Sequence, residues 1–453
     1  MFIPAARYGI RMLLLPYRTR IEWVPVEDLA PGDIYYGSRP ELANQNVCSI
    51  GLHTDTVDFF SSTLAVPASF DTVTIGGEDV PALFGCSAGG PFDFVASAFY
   101  FLSGWQEVHT TARDEHGRVR FTDSVQATNN LAYVPVVDVY RRLFEHRLRG
   151  VGTQIERKQF SGREWAFCPT HDIDYDKKWR PGIIRRELLH RAVLNHEREG
   201  VKKRLWRVST TFTSLFSGSD PFRDALRRIR VEILKRDGTG TFFFKTAARD
   251  PHDVRFSADS SFLRSQYQEL KLADFEIGLH PSYHAFNHTG FLQEERNLLA
   301  GSSGVQATII RSHYLRFDPL RCPGLLESCG FEVDSTLGWA TQEGFRRGTC
   351  LPYTLFDLST NTETSVVEMP LIAMESTLFN RRNYSLEAAI TASERLIEIC
   401  QKHGGVYVGL WHNTLWDEDE FPGWGDHFTS CLSIADRKGG LISSLGAALE
   451  SWK

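Results

Sequence analysis

A chain of 453 residues is long enough for one large domain or two to three ordinary ones. Hydrophobic residues make up 42% and charged residues 23%, which is the balance of a globular chain and excludes a disordered one. A formal net charge of −6 argues against a general nucleic-acid binder.

The chain begins MFIPAARYGIRMLLLPYRTR, where Met12 to Leu15 form the only apolar core. Arg7, Arg11 and Pro16 interrupt it, so it is too short for a signal peptide. No run approaches the roughly 20 apolar residues that span a bilayer. A soluble, cytoplasmic protein is expected. The short runs RIEWVPV and FDTVTI then read as β-strands, and FDFVASAFYFLSGWQE (92–107) reads as a helix with core aromatics at helical spacing. This N-terminal region holds no catalytic constellation. The polar stretch 147–165 is the expected boundary. It separates an N-terminal α+β accessory domain (1–150) from a second domain (160–453).

The segment Lys177 to Arg236 carries seventeen Lys or Arg against six Asp or Glu, on helical patterns. It reads as a solvated basic helical insertion, or as a surface for an anionic membrane or a phosphorylated substrate. From Trp165 onward a different rhythm appears. Seven apolar runs read as strands: EWAFCPTHD, GTFFFKTA, FEIGLHPS, QATIIRSHY, FEVDSTLG, VEMPLIAMES and GVYVGLWHN. Helical stretches lie between several of them. In SLEAAITASERLIEICQKHGG, Ser385 suits an N-cap and Gly404 a C-terminal cap. Strands alternating with helices imply a parallel sheet, open or closed.

Each run ends in polar residues: Asp172 and Asp174, Lys245, His280, Arg311, Asp334, Glu375 and His412. In a β/α barrel such ends share the face that carries the chemistry. Asp172 and Asp174 are two apart, so on a strand both carboxylates point to one side; an exposed acidic turn would look the same. His280 and His284 are four apart, a spacing of metal ligands, and Pro281 suits the first position of a helix. Two imidazoles and a carboxylate, here Asp174, make a three-ligand site for a divalent metal, with Zn2+ the expected ion. Such a metal would offset the cost of burying Asp174 and lower the pKa of a bound water from ~15.7 toward ~7. Asp172 is then placed to accept a proton.

These motifs resemble the polysaccharide deacetylases, the family-4 carbohydrate esterases of the NodB-homology group. Thr170-His171-Asp172-Ile173-Asp174 is similar to the Asp-x-Asp variants of the family's first motif, and His280-Pro281-Ser282-Tyr283-His284 to its second. In RSHYLRF, Arg311 matches the third motif, although the usual Pro-Tyr-Gly is missing. DSTLGW loosely matches the fourth with Asp334 and Trp339, and GLWHNT matches the fifth with His412. The resemblance covers roughly residues 160 to 420. It implies a distorted (β/α)7-type barrel, Asp172 as base paired with Arg311, and Asp174, His280 and His284 as metal ligands. It also implies His412 as the acid to a leaving amine, with Asp334 and Trp339 at the substrate.

Other residues are read as follows. Glu375 is placed at a strand end where it could hold a substrate hydroxyl. His313 could be a further site residue but reads rather as a strand-end histidine hydrogen-bonded to backbone, and His288 reads as part of an exposed loop. Ser282 lacks the elbow motif of a nucleophile, and no phosphate-binding loop is found. The eight cysteines have no CxxC pair and are expected to be mostly reduced and buried. The expected function is removal of an acetyl group from an N-acetylated sugar of a glycan or glycan precursor. The alternatives are hydrolysis of another C–N bond, as in allantoin, or an inactive barrel that binds glycans or scaffolds a partner.

Overall fold

The computed structural model describes residues 2–39, 41, 46–85, 92–186, 208–209, 211–214, 216 and 218–453. Near the N-terminus a pair of short strands, Ile34–Gly37 (β1) and Cys48–Gly51 (β2), run parallel. Asp71–Ile75 (β3) and Glu78–Ala82 (β4) form a hairpin. Three helices pack together: Phe2–Leu14, Phe94–Ser103 and Val136–Gly150. The second is the helix expected from the aromatic spacing. Asp93 caps it by accepting from the Ala96 N–H at 2.9 Å, and Gly104 ends it in the left-handed region.

RIEWVPV is not a strand. The chain there has no strand partner, and it enters a 3-10 turn at Val26–Asp28. Trp23 and Val24 are half exposed, and Pro25 has no N–H to give a ladder.

A ten-stranded sheet dominates the rest of the chain. Its strands are Ala166–Ile173 (β5), Thr241–Phe244 (β6), Glu276–Leu279 (β7), Ile309–Ile310 (β8), Val333–Asp334 (β9), Tyr353–Asp357 (β10), Thr362–Glu368 (β11), Leu371–Met374 (β12), Val406–His412 (β13) and Leu441–Ile442 (β14). Their order is β10-β11-β9-β8-β7-β6-β5-β13-β12, with β14 paired to β5. Every pairing is parallel except the β10–β11 hairpin. The sheet curls into a half-barrel.

β5 is buried along its whole length, as expected of a parallel strand covered on both faces. β14 pairs with its first residues and β6 with its last four, so one strand serves three neighbours. Gly278 lets β7 approach β6 closely: a Cβ there would lie 2.6 Å from the Phe243 ring. The expected run VEMPLIAMES is split between the end of β11 and β12, because Pro370 cannot continue the ladder. Strands β10 and β14, and β11 before Val367, have no counterpart among the strands expected from sequence. The helix Leu386–His403 has the expected ends, Ser385 accepting from the Ala388 N–H at 3.2 Å and Gly404 at φ 58°.

The N-terminal region and the sheet share one apolar core. Tyr8 donates to the Thr354 carbonyl at 2.7 Å, and its ring lies 5.0 Å from that of Phe356. Buried Glu107 receives Arg346 at 2.8 and 2.9 Å and Arg347 at 3.2 Å. Gly344 sits where a Cβ would fall 1.9 Å from the Ala132 carbonyl oxygen, and the Phe345 N–H donates to that same carbonyl. Residues 187–207, 210, 215 and 217 of the expected basic insertion lie outside the described residues, as does Cys86. The described portion includes the helix Pro221–Leu234, capped by Asp220 and buried along Phe222, Leu226, Ile229 and Ile233. Among the described residues no helix is long and apolar enough to cross a membrane, and all seven described cysteines are free and buried.

Candidate active site and metal centre

The parallel strands deliver their C-terminal ends to one side of the sheet, where open α/β sheets and barrels place their ligands. Asp172 lies near the end of β5, and Asp174 follows two residues later. His280 follows β7, and its N–H continues the ladder to the Phe244 carbonyl at 2.9 Å. Its Nδ1 lies 2.7 Å from the Arg311 carbonyl oxygen. The other nitrogen, Nε2, therefore faces Asp174 Oδ1 at 3.4 Å and Asp172 Oδ2 at 3.8 Å.

His313 follows β8. Its Nδ1 is 3.0 Å from Asp253 Oδ1, which leaves Nε2 pointing to Asp174 Oδ1 at 3.6 Å. One ligand atom from each of Asp174, His280 and His313 lies within 4.8 Å of the others. Asp174 Oδ1 is buried and has no hydrogen-bond partner. A buried, unsatisfied carboxylate oxygen facing two imidazole nitrogens fits a divalent cation. Each imidazole also has an acceptor at its far nitrogen, the arrangement that orients metal-bound histidines. Burial raises the Asp174 pKa, but His313, His280 and Lys245 outweigh it and hold the carboxyl well below its usual range. Burial lowers His313 to about 4, so its ring is neutral, the state that ligates.

His284 does not join this cluster. The helix expected to begin at Pro281 is absent: the chain turns through Tyr283 and His284 into a 3-10 turn at Ala285–Asn287. The i and i+4 spacing then no longer puts the two rings on one face. His284 is exposed, with Nε2 2.8 Å from Asp250 Oδ2. His313, read from sequence as bonded to backbone, takes the third position. The sequence signal for it was thin: a polar residue two positions beyond Arg311 at a strand end. Asp253, which orients it, had no signal at all. Lys245 also bonds Asp253 Oδ1, at 3.0 Å. It stands 3.3 Å from His313 Nδ1, the ring nitrogen that does not face Asp174.

Arg311 is fully buried. Its Nη1 donates to Thr170 Oγ1 at 2.7 Å and to Asp172 Oδ1 at 3.2 Å, while Nε and Nη2 bind the Ser335 carbonyl and hydroxyl. Asp172 thus sits beside the cluster with one oxygen held by Arg311. On the opposite side His412 ends β13. Its Nδ1 is 2.6 Å from Glu375 Oε1, and its Nε2 is 3.7 Å from Asp174 Oδ2. Burial alone would lower its pKa. The Glu375 carboxylate, with Asp174 and Asp172, raises it instead to about 10, so the ring is protonated at neutral pH.

Three residues expected at the substrate lie elsewhere. Glu375 is buried behind His412 and accepts from both its ring and its N–H, so it orients the histidine and reaches no substrate hydroxyl. Asp334 is fully buried beside Glu368, bonded to Thr336. Burial first of all raises it to about 6. Trp339 packs edge-on to Phe121 at 5.6 Å and against Arg346. None of the three lines the cavity. That cavity, of about 430 Å³, opens over Asp172, Asp174, His280, His313 and His412. Tyr175, Tyr314, Met374, Trp424 and Arg118 form its walls.

Residues 20–152 match a model described as a family of unknown function, DUF7033. Comparison with curated protein sequences finds no match. Among solved structures, the chain is similar to a candidate polysaccharide deacetylase from Mycobacterium smegmatis, with 17% identity, 64% of this chain and 90% of that chain covered, and a TM-score of 0.42. It is similar to the chitin deacetylase of the fungal pathogen Colletotrichum lindemuthianum, with 12% identity, 65% and 91% coverage and a TM-score of 0.36. It is also similar to a polysaccharide deacetylase from Bacillus cereus, with 11% identity, 62% and 91% coverage and a TM-score of 0.33. Scores this low carry no functional conclusion, which must come from the geometry of the site itself.

Proposed function

We propose that the chain is a divalent-metal-dependent amide hydrolase that removes the acetyl group from an N-acetylated sugar. The observation that carries the proposal is Asp174 Oδ1, buried without a hydrogen bond and facing His280 and His313. Asp174, His280 and His313 would hold the metal. When bound, such an ion supplies Lewis-acid polarisation of a carbonyl and a water of near-neutral pKa. Two imidazoles and a carboxylate favour zinc.

The chain's own residues then divide the proton transfers. Asp172, held by Arg311 at 3.2 Å, accepts the proton of the attacking water. His412, kept protonated by Glu375, gives its proton from Nε2 to the departing amine nitrogen. Each transfer is expected to contribute about 10²–10⁴-fold. Two tyrosines and a tryptophan in the cavity wall offer apolar faces to a sugar ring and exclude water from the reacting centre.

The test is acetate release from N-acetylglucosamine oligomers by zinc-loaded protein, with Asp174→Asn alongside. One equivalent of zinc and acetate release that Asp174→Asn abolishes are expected. A wild-type protein that takes up no stoichiometric metal would sink the proposal. Stoichiometric zinc without acetate release would replace the sugar amide by another C–N bond.

A further inference from the structure

The N-terminal region contributes to the metal centre through the loop 114–118. Arg118 lines the cavity. Its guanidinium is held by Asp114, with Nε and Nη2 each 2.7 Å from Oδ2. The same carboxylate closes the loop by accepting from the His116 and Arg118 N–H groups at 3.0 and 2.9 Å. Arg118 Nη1 is thereby presented outward, and it donates to the Tyr314 carbonyl at 2.6 Å.

Tyr314 is the residue after His313, and its backbone is unusual. Tyr314 and Leu315 both lie in the left-handed region, at φ 61° and 55°. Neither is glycine, and two consecutive non-glycine residues there persist only where surrounding contacts hold them. The contacts come largely from the N-terminal loop. The His116 ring lies 4.3 Å from that of Tyr314, and its Nδ1 is 3.1 Å from the Tyr283 hydroxyl. Arg316, next along the strap, donates from Nε to the His116 carbonyl at 3.0 Å and from Nη1 to the Tyr283 carbonyl at 2.7 Å. The strap 313–316 is thus gripped from above by residues nearly two hundred positions earlier, while Asp253 holds the His313 ring from below.

We infer that Arg118 is a positioning residue for His313. By fixing the Tyr314 carbonyl it keeps the left-handed strap in place and aims His313 Nε2 at Asp174, so that the metal centre is incomplete without the loop 114–118. The inference rests on the reading of Asp174, His280 and His313 as a metal site. It gives the N-terminal region a defined role, in which it orients a ligand and walls the cavity.

The experiment is zinc affinity of the full chain by competition with a chromophoric chelator, for the wild type, Arg118→Ala, Arg118→Lys and His313→Ala. Loss of an orienting partner costs about 10–100-fold in metal affinity, and that loss is expected for Arg118→Ala. Arg118→Lys, which can still reach the carbonyl but cannot fork to Asp114, should recover some of it and keeps the test open if the alanine variant does not fold. The unfolding midpoint of the metal-free protein should move by only a few degrees. Wild-type affinity in both Arg118 variants, with His313→Ala binding no zinc, overturns this inference and leaves the metal site standing. A wild type that binds no zinc overturns both. A large fall in the metal-free midpoint that carries the affinity with it marks a purely structural role and also overturns it.

Discussion

His313→Ala and His284→Ala discriminate between the arrangement the structure shows and the one that residue spacing implies. His313 is 7% exposed, with Nε2 at 3.6 Å from Asp174 Oδ1. Its removal takes away one of the three proposed ligands and leaves Asp253 with Lys245 as its remaining side-chain partner. Loss of an orienting partner alone costs about 10–100-fold in metal affinity. Loss of the ligand itself should therefore exceed ~100-fold, or about 3 kcal/mol. His284 is half exposed and bonded to a surface aspartate. Its replacement should change zinc affinity less than ~2-fold, since an exposed, solvent-screened pair contributes little to stability and nothing to the site. Zinc titration of the metal-free proteins, followed by calorimetry, reads both values. Circular dichroism of the two variants confirms that each is folded. Equal losses in the two variants, or a larger loss for His284→Ala, would refute the assignment of His313 and restore the helical pair.

Glu375→Gln removes the charge that lifts His412 to about 10. A group that must be protonated loses activity as pH rises through its pKa, so the basic limb of the pH–rate profile should move to lower pH in this variant; an unmoved limb would exclude His412 as the acid. Arg311→Ala leaves Asp172 buried with its charge unmatched and should destabilise by about 3–5 kcal/mol in urea unfolding, with some regained in the Arg311→Ala, Asp172→Ala double variant. Regain should be absent if the pair carries no net interaction. Glu276, at the start of β7, is raised from 4.5 to about 7 because burial outweighs its bonds to Thr241 and the Gly446 N–H. Its folded pKa lies above its unfolded one, so the native state binds the extra proton and stability falls as pH rises from about 4.5 to about 7. The total is at most about 3 kcal/mol. Glu276→Gln should remove that fall, giving equal stability to wild type near pH 4 and an advantage above pH 7. Parallel stability curves across this range would contradict it.

Where the site's residues could be read from sequence, the reason is local. β5 and β13 are apolar runs whose polar ends follow from strand alternation, and that places Asp172, Asp174 and His412 at strand ends. The same holds for His280 after β7 and Arg311 after β8. The helix caps Ser385 and Gly404 are equally local, because each is set by one side chain or one backbone angle. The hairpin β10–β11 is not legible in the same way. Its register shifts at a bulge between Thr354 and Phe356, which breaks the alternation, and β11 is held by pairing Val367 and Glu368 to Val333 and Asp334 of β9, more than thirty residues earlier.

By itself the sequence determined which residues stand at the ends of strands, since apolar runs and their breaks are properties of neighbouring residues. Only the tertiary structure decided which of those ends meet. Residue spacing set His284 beside His280, whereas the structure brings His313 there instead. The choice depends on Asp253, on the turn after Pro281 and on the grip of Arg118 on Tyr314, contacts between distant segments that no local pattern records. Likewise Glu375 looked like a group for substrate. It became the partner of His412 because parallel pairing of β12 with β13 sets their ends side by side and buries the carboxylate between them.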